Sequence, residues 1–98
     1  MPHLIWSPTS RLDLADIDAY LSKRDPAAAV RILRAIRSAA SRLSDYPRLG
    51  WSISEPFRVI SVRQTSYLIL YRLRDDRVEI VRIHHGRENW FHAIEAEL

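Results

Sequence analysis

The chain has 98 residues, 47% apolar and 28% charged, the balance of one folded domain rather than of a disordered chain. Its formal charge of +3 suits an acidic protein or a nucleic acid as partner and demands neither. Without cysteine, disulfides and thiolate zinc sites are excluded. No apolar run approaches the ~20 residues of a membrane span, and no charged n-region with an apolar h-region opens the chain. The expectation is a single cytoplasmic domain over residues 1–98.

In chain order, His3-Leu4-Ile5-Trp6 reads as a short extended segment. Ser7-Pro8 follows as a helix start, with Ser as cap and Pro in the first turn, where its missing N–H costs nothing. Leu14, Ile17 and Leu21 then fall at helical spacing. Asp25-Pro26 repeats the start signal, and the second helix should run to about Leu43. Ala29, Ile32, Leu33, Ile36, Ala40 and Leu43 lie on one face, with Arg31, Arg34, Arg37 and Arg42 opposite. The short connection makes the two helices an antiparallel hairpin. Ser44 to Pro47 stops the second helix. After Gly50 the pattern changes to strands over Phe57 to Val62, Tyr67 to Leu73, and Val78 to about His85, with Asp75-Asp76 as a two-residue turn. Glu88 to Leu98 reads as a final short helix or tail. The expected fold is α+β, a helical hairpin on a small antiparallel sheet.

A turn at Asp75-Asp76 sets Arg72 opposite Glu79. In that register Tyr67, Ile69, Tyr71, Leu73, Val78 and Ile80 share one face, and Leu68, Leu70, Val81 and Ile83 share the other. Both faces are apolar, whereas a helical hairpin covers only one. The second face therefore needs cover from the C-terminal segment, another copy or a partner protein.

The order strand, helix, helix, three strands, tail resembles the RelE/ParE toxin superfamily of bacterial toxin–antitoxin modules. The residues look most like its ParE branch: Ile5-Trp6-Ser7-Pro8; Asp13-Leu14 with Ile17, Tyr20 and Leu21; Ala29 to Leu43; Tyr46-Pro47-x-x-Gly50; Arg58-Val59 with Tyr67 and Tyr71; and Val78-Glu79-Ile80 through His85-Gly86-Arg87. The resemblance implies a toxin of a type II module, neutralised by a paired antitoxin whose C-terminal segment wraps it. A ParE-like toxin would poison DNA gyrase by binding, with no cofactor. A RelE-like one would be a ribosome-dependent, metal-independent endoribonuclease acting on mRNA. RelE-like ribonucleases commonly carry Tyr-Arg-x-x-Tyr in the middle strand, whereas this chain has Tyr67-Leu68-Ile69-Leu70-Tyr71. Lysines that some use before that strand are absent, since Lys23 is the only lysine. A module that binds antitoxin without toxicity is the third reading.

Residues are assigned accordingly. Leu68, Leu70, Val81 and Ile83, with Arg58, Arg63 and Arg82 on the strands, are the expected antitoxin contacts, through apolar burial and charge-assisted bonds to carboxylates. His85, Arg87 and Arg63 would form the catalytic set of a ribonuclease, with His as acid or base and Arg on phosphate. Arg31, Arg34, Arg37, Arg87 and Trp90 are candidates for target contact. The plain alternatives are a solvated helix face for the arginine row, and a Trp packed over the edge of its own core. His84 and His85 are adjacent, so they face opposite sides of a strand, and no His/Asp/Glu set has metal-ligand spacing.

Overall fold

A computed structural model describes residues 3–86 and contains the expected elements in the expected order. They are β1 (His3–Trp6), α1 (Pro8–Arg24), α2 (Pro26–Asp45), β2 (Trp51–Ser54), β3 (Phe57–Ser61), β4 (Tyr67–Arg74) and β5 (Arg77–His85). The expected helix over Glu88 to Leu98 lies outside the described residues. The sheet order is β1-β5-β4-β3-β2. Two features differ from the expectation. β2 is an additional strand, whose signal was the short alternation Trp51, Ser52, Ile53, Ser54. β1 pairs with β5 in parallel, Leu4 opposite Val78 and Trp6 opposite Ile80, so the sheet is mixed. A parallel pair needs a long crossover, and here the helices and β2–β4 supply it.

Both helices start where their caps predict. The Ser7 hydroxyl accepts from Ser10 N at 3.0 Å, and the Asp25 carboxylate accepts from Ala28 N at 3.1 Å. Each meets one of the N–H groups that a helix start leaves open. α2 buries Leu33, Ile36, Ala40 and Leu43 against Val62, Ile69, Tyr71, Val78, Ile80 and Ile83 of the sheet side. Burying each large aliphatic side chain contributes roughly 1.5–3 kcal/mol.

The hairpin of β4 and β5 begins in the expected register, with Arg72 opposite Glu79 and ion-paired to it. Asp75 takes φ 51°, a left-handed conformation that Asp tolerates better than most residues. The register then shifts between Leu70 and Tyr71: Tyr71 pairs with Ile80, but Leu70 pairs with Arg82. Val81 is the extra residue of a bulge, and a one-residue slip exchanges faces beyond it. Ile83 therefore does not share a face with Leu68 and Leu70 as expected. It stands opposite Ile69 and belongs to the core under the helices.

α1 is fastened at this bulge. Ser7 N donates to Ile80 O at 3.0 Å, and the Ser7 hydroxyl donates to Val81 O at 2.9 Å. Asp13 accepts from Ile83 N at 2.9 Å and from Arg82 Nε and Nη2 at 2.9 and 3.1 Å. The side chains of the cap residue Ser7 and of Asp13 in α1 thus meet the backbone of the irregular segment, which would otherwise hold unpaired polar groups.

A second knot holds the loop between α2 and β2. Tyr71, fully buried, accepts from Gly50 N at 2.9 Å and donates to Pro47 O at 2.9 Å. Arg58 stands opposite Tyr71 on β3 and donates to Gly50 O at 2.6 Å and to Glu55 at 3.3 Å. Gly50 is required by this approach, since a Cβ there would lie 2.5 Å from Val59 O and 2.8 Å from the Tyr71 hydroxyl.

Tyr71→Phe leaves Gly50 N without its buried acceptor and Pro47 O without its donor; a chemical-denaturation series should show a loss of ~1–3 kcal/mol. Gly50→Ala should lose at least as much by overpacking, with m unchanged. Burial raises the Tyr71 pKa above its ordinary value of 10.0. The unfolded chain therefore ionises this phenol first, so stability should fall as pH rises through about 10 toward the folded value. Tyr71→Phe should flatten that fall. In a separate cycle, Asp13→Ala should cost ~1–3 kcal/mol; the part owed to Arg82 should vanish when Arg82 is already alanine, and the part owed to Ile83 N should remain. Additive losses would show that the pair does not act as a unit.

Candidate functional site

The end of β5 and the start of β4 bring Tyr67 and His85 together. They are cross-strand partners, with ring centroids 5.2 Å apart and planes at 85°, an edge-to-face pair. Both line a cavity of about 710 Å3 between α1 and the turn joining β3 to β4, together with Asp16, Tyr20, Gln64, Thr65 and Ser66. The turn is shaped locally. Gln64 takes φ 63°, and the Thr65 hydroxyl donates to Val62 O at 2.8 Å while accepting from Tyr67 N at 3.1 Å. No Arg or Lys is among the described residues lining this cavity. Arg24 approaches from outside that set, its guanidinium 3.9 Å from the centre of the Tyr20 ring. As expected, the adjacent histidines divide: His84 stands opposite Leu68 and is buried, and His85 stands opposite Tyr67.

Of the expected catalytic set, His85 and Arg63 line different cavities. Arg63 is an exposed turn residue rather than a strand residue, because β3 ends at Ser61. It lines a different cavity, with Ala39 and Arg42. Arg87 and Trp90 lie outside the described residues. Among the described residues, no group of three or more His, Asp or Glu side chains is placed to hold a metal ion.

Of the strand arginines, Arg58 and Arg82 hold their own chain. Arg58 clamps the Gly50 loop, and Arg82 is ion-paired with Asp13. Their partners, a backbone carbonyl and a carboxylate on a distant helix, are set by tertiary packing. The α2 arginines are more open. Arg31, Arg34 and Arg37 are exposed. Arg34 and Arg37 line a groove of about 730 Å3 between the helices, with Asp18 and Val30, and Arg37 also lines an adjoining cavity with Arg11. Arg37, Leu33 and Asp18 line both, so the two cavities adjoin, one with Arg34 and the other with Arg11.

The sheet face away from the helices carries a second apolar cluster. Val59, Leu68 and Leu70 are buried, and Ile53, Phe57 and Val81 pack against them. The expectation that Leu68, Leu70 and Val81 share this face holds, and Ile53 and Phe57 join them. Leu70 is fully buried, so exposure on this face falls to its neighbours. Among the described residues, no helix is long and apolar enough to cross a membrane.

Residues 4–90 match the family model described as the ParE toxin of the type II toxin–antitoxin system, parDE. Toxin RelE1 of Caulobacter vibrioides is 34% identical over 87 residues, covering 87% of this chain and 94% of that protein. Toxin RelE2 of the same organism is 33% identical over 86 residues, covering 88% and 97%. The family model thus carries the ParE name and these two relatives the RelE name. In the chromosomal ParDE toxin–antitoxin system from P. aeruginosa, a chain aligns with a TM-score of 0.77 at 19% identity, covering 87% of this chain and 96% of that one. The isolated E. coli RelE toxin aligns with a TM-score of 0.62 at 12% identity over 100% of both chains. Those two likenesses establish the fold: two helices on a five-stranded mixed sheet. With the family model spanning nearly the whole chain, the protein belongs to the ParE toxin family of type II toxin–antitoxin systems.

Proposed function

We propose that this toxin acts by binding DNA gyrase rather than by cutting RNA, and that a cognate antitoxin holds it inactive. The observation that carries the reading is the middle strand, where Leu68 is packed into an apolar cluster. Cleaving a phosphodiester needs an acid, a base and cations that take up the developing charge. The described lining of the His85 cavity supplies a His–Tyr pair and the Asp16 carboxylate, with no Arg or Lys. Arg63 lines another cavity. At the middle-strand position where RelE-like enzymes resemble one another in carrying Arg, Leu68 is buried in an apolar cluster.

The antitoxin reading rests on two surfaces. The far face offers Val81, Phe57 and Ile53 around the buried Leu68 and Leu70, which suits an apolar segment. The groove between the helices offers Arg11, Arg34 and Arg37, which suits carboxylates. Arg31 extends the same exposed row. Such contacts steer association and weaken with salt. The residues assigned to the antitoxin from sequence divide accordingly. Val81 is half-buried against that cluster, and Arg63 is exposed. Arg58 and Arg82 are engaged within this chain, and Ile83 lies in the core under the helices.

The ribonuclease reading draws on one specific feature, the Tyr67–His85 pair in an open cavity. Two assays of the purified chain separate the alternatives. Supercoiling by purified gyrase should be lost, with cleaved DNA accumulating, while ribosome-programmed mRNA stays intact. His85→Ala should leave inhibition within about 2-fold, the range expected for a residue outside the target interface. Cleaved mRNA that disappears in His85→Ala, with gyrase unaffected, would establish the ribonuclease instead.

A further inference from the structure

The loop between α2 and β2 displays large apolar side chains over a backbone that is held from beneath. Tyr46, Leu49 and Trp51 are 62%, 43% and 47% exposed. With Pro47 and Arg48, Tyr46 and Leu49 line a depression of about 480 Å3. Trp51 begins β2, an edge strand of the described sheet. Three large apolar side chains within six residues form a patch of the kind that marks an interaction site.

The backbone below them is constrained at nearly every position. Tyr71 bonds Pro47 O and Gly50 N. Arg58 bonds Gly50 O, and it reaches Arg48 O at 3.5 Å. Leu49 N donates to Tyr46 O at 3.0 Å. The loop therefore presents its side chains with little backbone freedom left to lose, which is the condition under which exposed apolar groups bind productively. Tyr and Trp are also the residue types that most often carry interface energy.

The charges around the patch select the partner. Arg48 lies within it, and Arg42 precedes Tyr46 by one helical turn. Both are exposed, and neither side chain makes an ion pair or hydrogen bond among the described residues. Asp45 is the one carboxylate in the segment 42–51, against these two arginines. A nucleic-acid surface would be more polar and more cationic, whereas aliphatic Leu49 and Pro47 sit between the rings here.

We propose that residues 46–51 form the surface by which this toxin grips its target, a protein offering an apolar cleft rimmed by carboxylates. The inference rests on the reading of the chain as a toxin that acts by binding. It assigns the target to a surface separate from the arginine groove and bordering the far face, where Trp51 stands opposite Val59.

The test uses the full chain with Leu49→Ser plus Trp51→Ser and, independently, Tyr46→Ala plus Arg48→Glu. The second pair changes only exposed loop side chains and keeps the framework if the first pair fails to fold. Thermal melts and immunoblots establish equal folding and equal expression. Induced expression is scored by growth arrest, purified gyrase by supercoiling, and labelled single-stranded and duplex DNA by fluorescence anisotropy. A folded variant should lose growth arrest and need roughly 30-fold more protein for half-inhibition of gyrase, as truncating an interface hot spot does. Folded variants of both kinds that arrest growth as the parent does would overturn the surface assignment alone. DNA binding by the parent that the variants lose would overturn the protein-partner assignment. A parent that arrests growth while gyrase is untouched would remove gyrase as target, and loss of arrest in the variants would still support the surface. A parent that leaves growth unaffected would remove both readings together.

Discussion

The bulge at Val81 is the constraint on which the rest of this molecule depends. A regular hairpin would carry the Arg72–Glu79 register to the end of β5 and place Ile83 with Leu68 and Leu70. The extra residue instead sends Ile83 into the core beside Ile69 and sets His85 opposite Tyr67. Bulged backbone needs hydrogen-bond partners, and α1 provides them through Ser7 and Asp13. The helix cap, the helix–sheet attachment and the placement of the two histidines are therefore one arrangement.

That arrangement accounts for how charge is distributed. Arg82 is drawn to Asp13, and Arg58 to the carbonyls of the Gly50 loop. Each sits where a charged side chain is partly withdrawn from water and needs a partner. The α2 arginines have no such obligation and remain open on the outer face of the hairpin. A basic chain thus divides its cations between framework and surface according to burial. Counting arginines says little about which of them meet a partner.

Much of the fold was legible in the sequence. Ser7-Pro8 and Asp25-Pro26 placed both helix starts, because capping is a local interaction between residues three apart. The α2 stripe and the Asp75-Asp76 turn were readable for the same reason. β2 was missed because four residues are too short for a periodicity to stand out. The parallel pairing of β1 was not legible either, since it joins segments more than seventy residues apart. The apolar second face of the sheet was correctly anticipated for Leu68, Leu70 and Val81, and the residue that failed, Ile83, lies just beyond the bulge. The candidate site was less legible than the fold. His85 could be singled out by type, but the companions it has in the structure, Tyr67 of β4 and Tyr20 and Asp16 of α1, come from elements distant in the chain.

The sequence by itself determined the class of the protein: a small α+β domain whose ordered motifs belong to the RelE/ParE superfamily. Those features rest on local propensity, capping and pattern, which act within a few residues. Tertiary structure alone decided which arginines are engaged, which face Ile83 takes, and that the Tyr46–Trp51 loop stands rigid and exposed. Each of these depends on contacts between residues distant in the chain, Asp13 with Arg82 and Tyr71 with Gly50 above all. Such contacts are set by how the layers meet, and no spacing within the sequence encodes them.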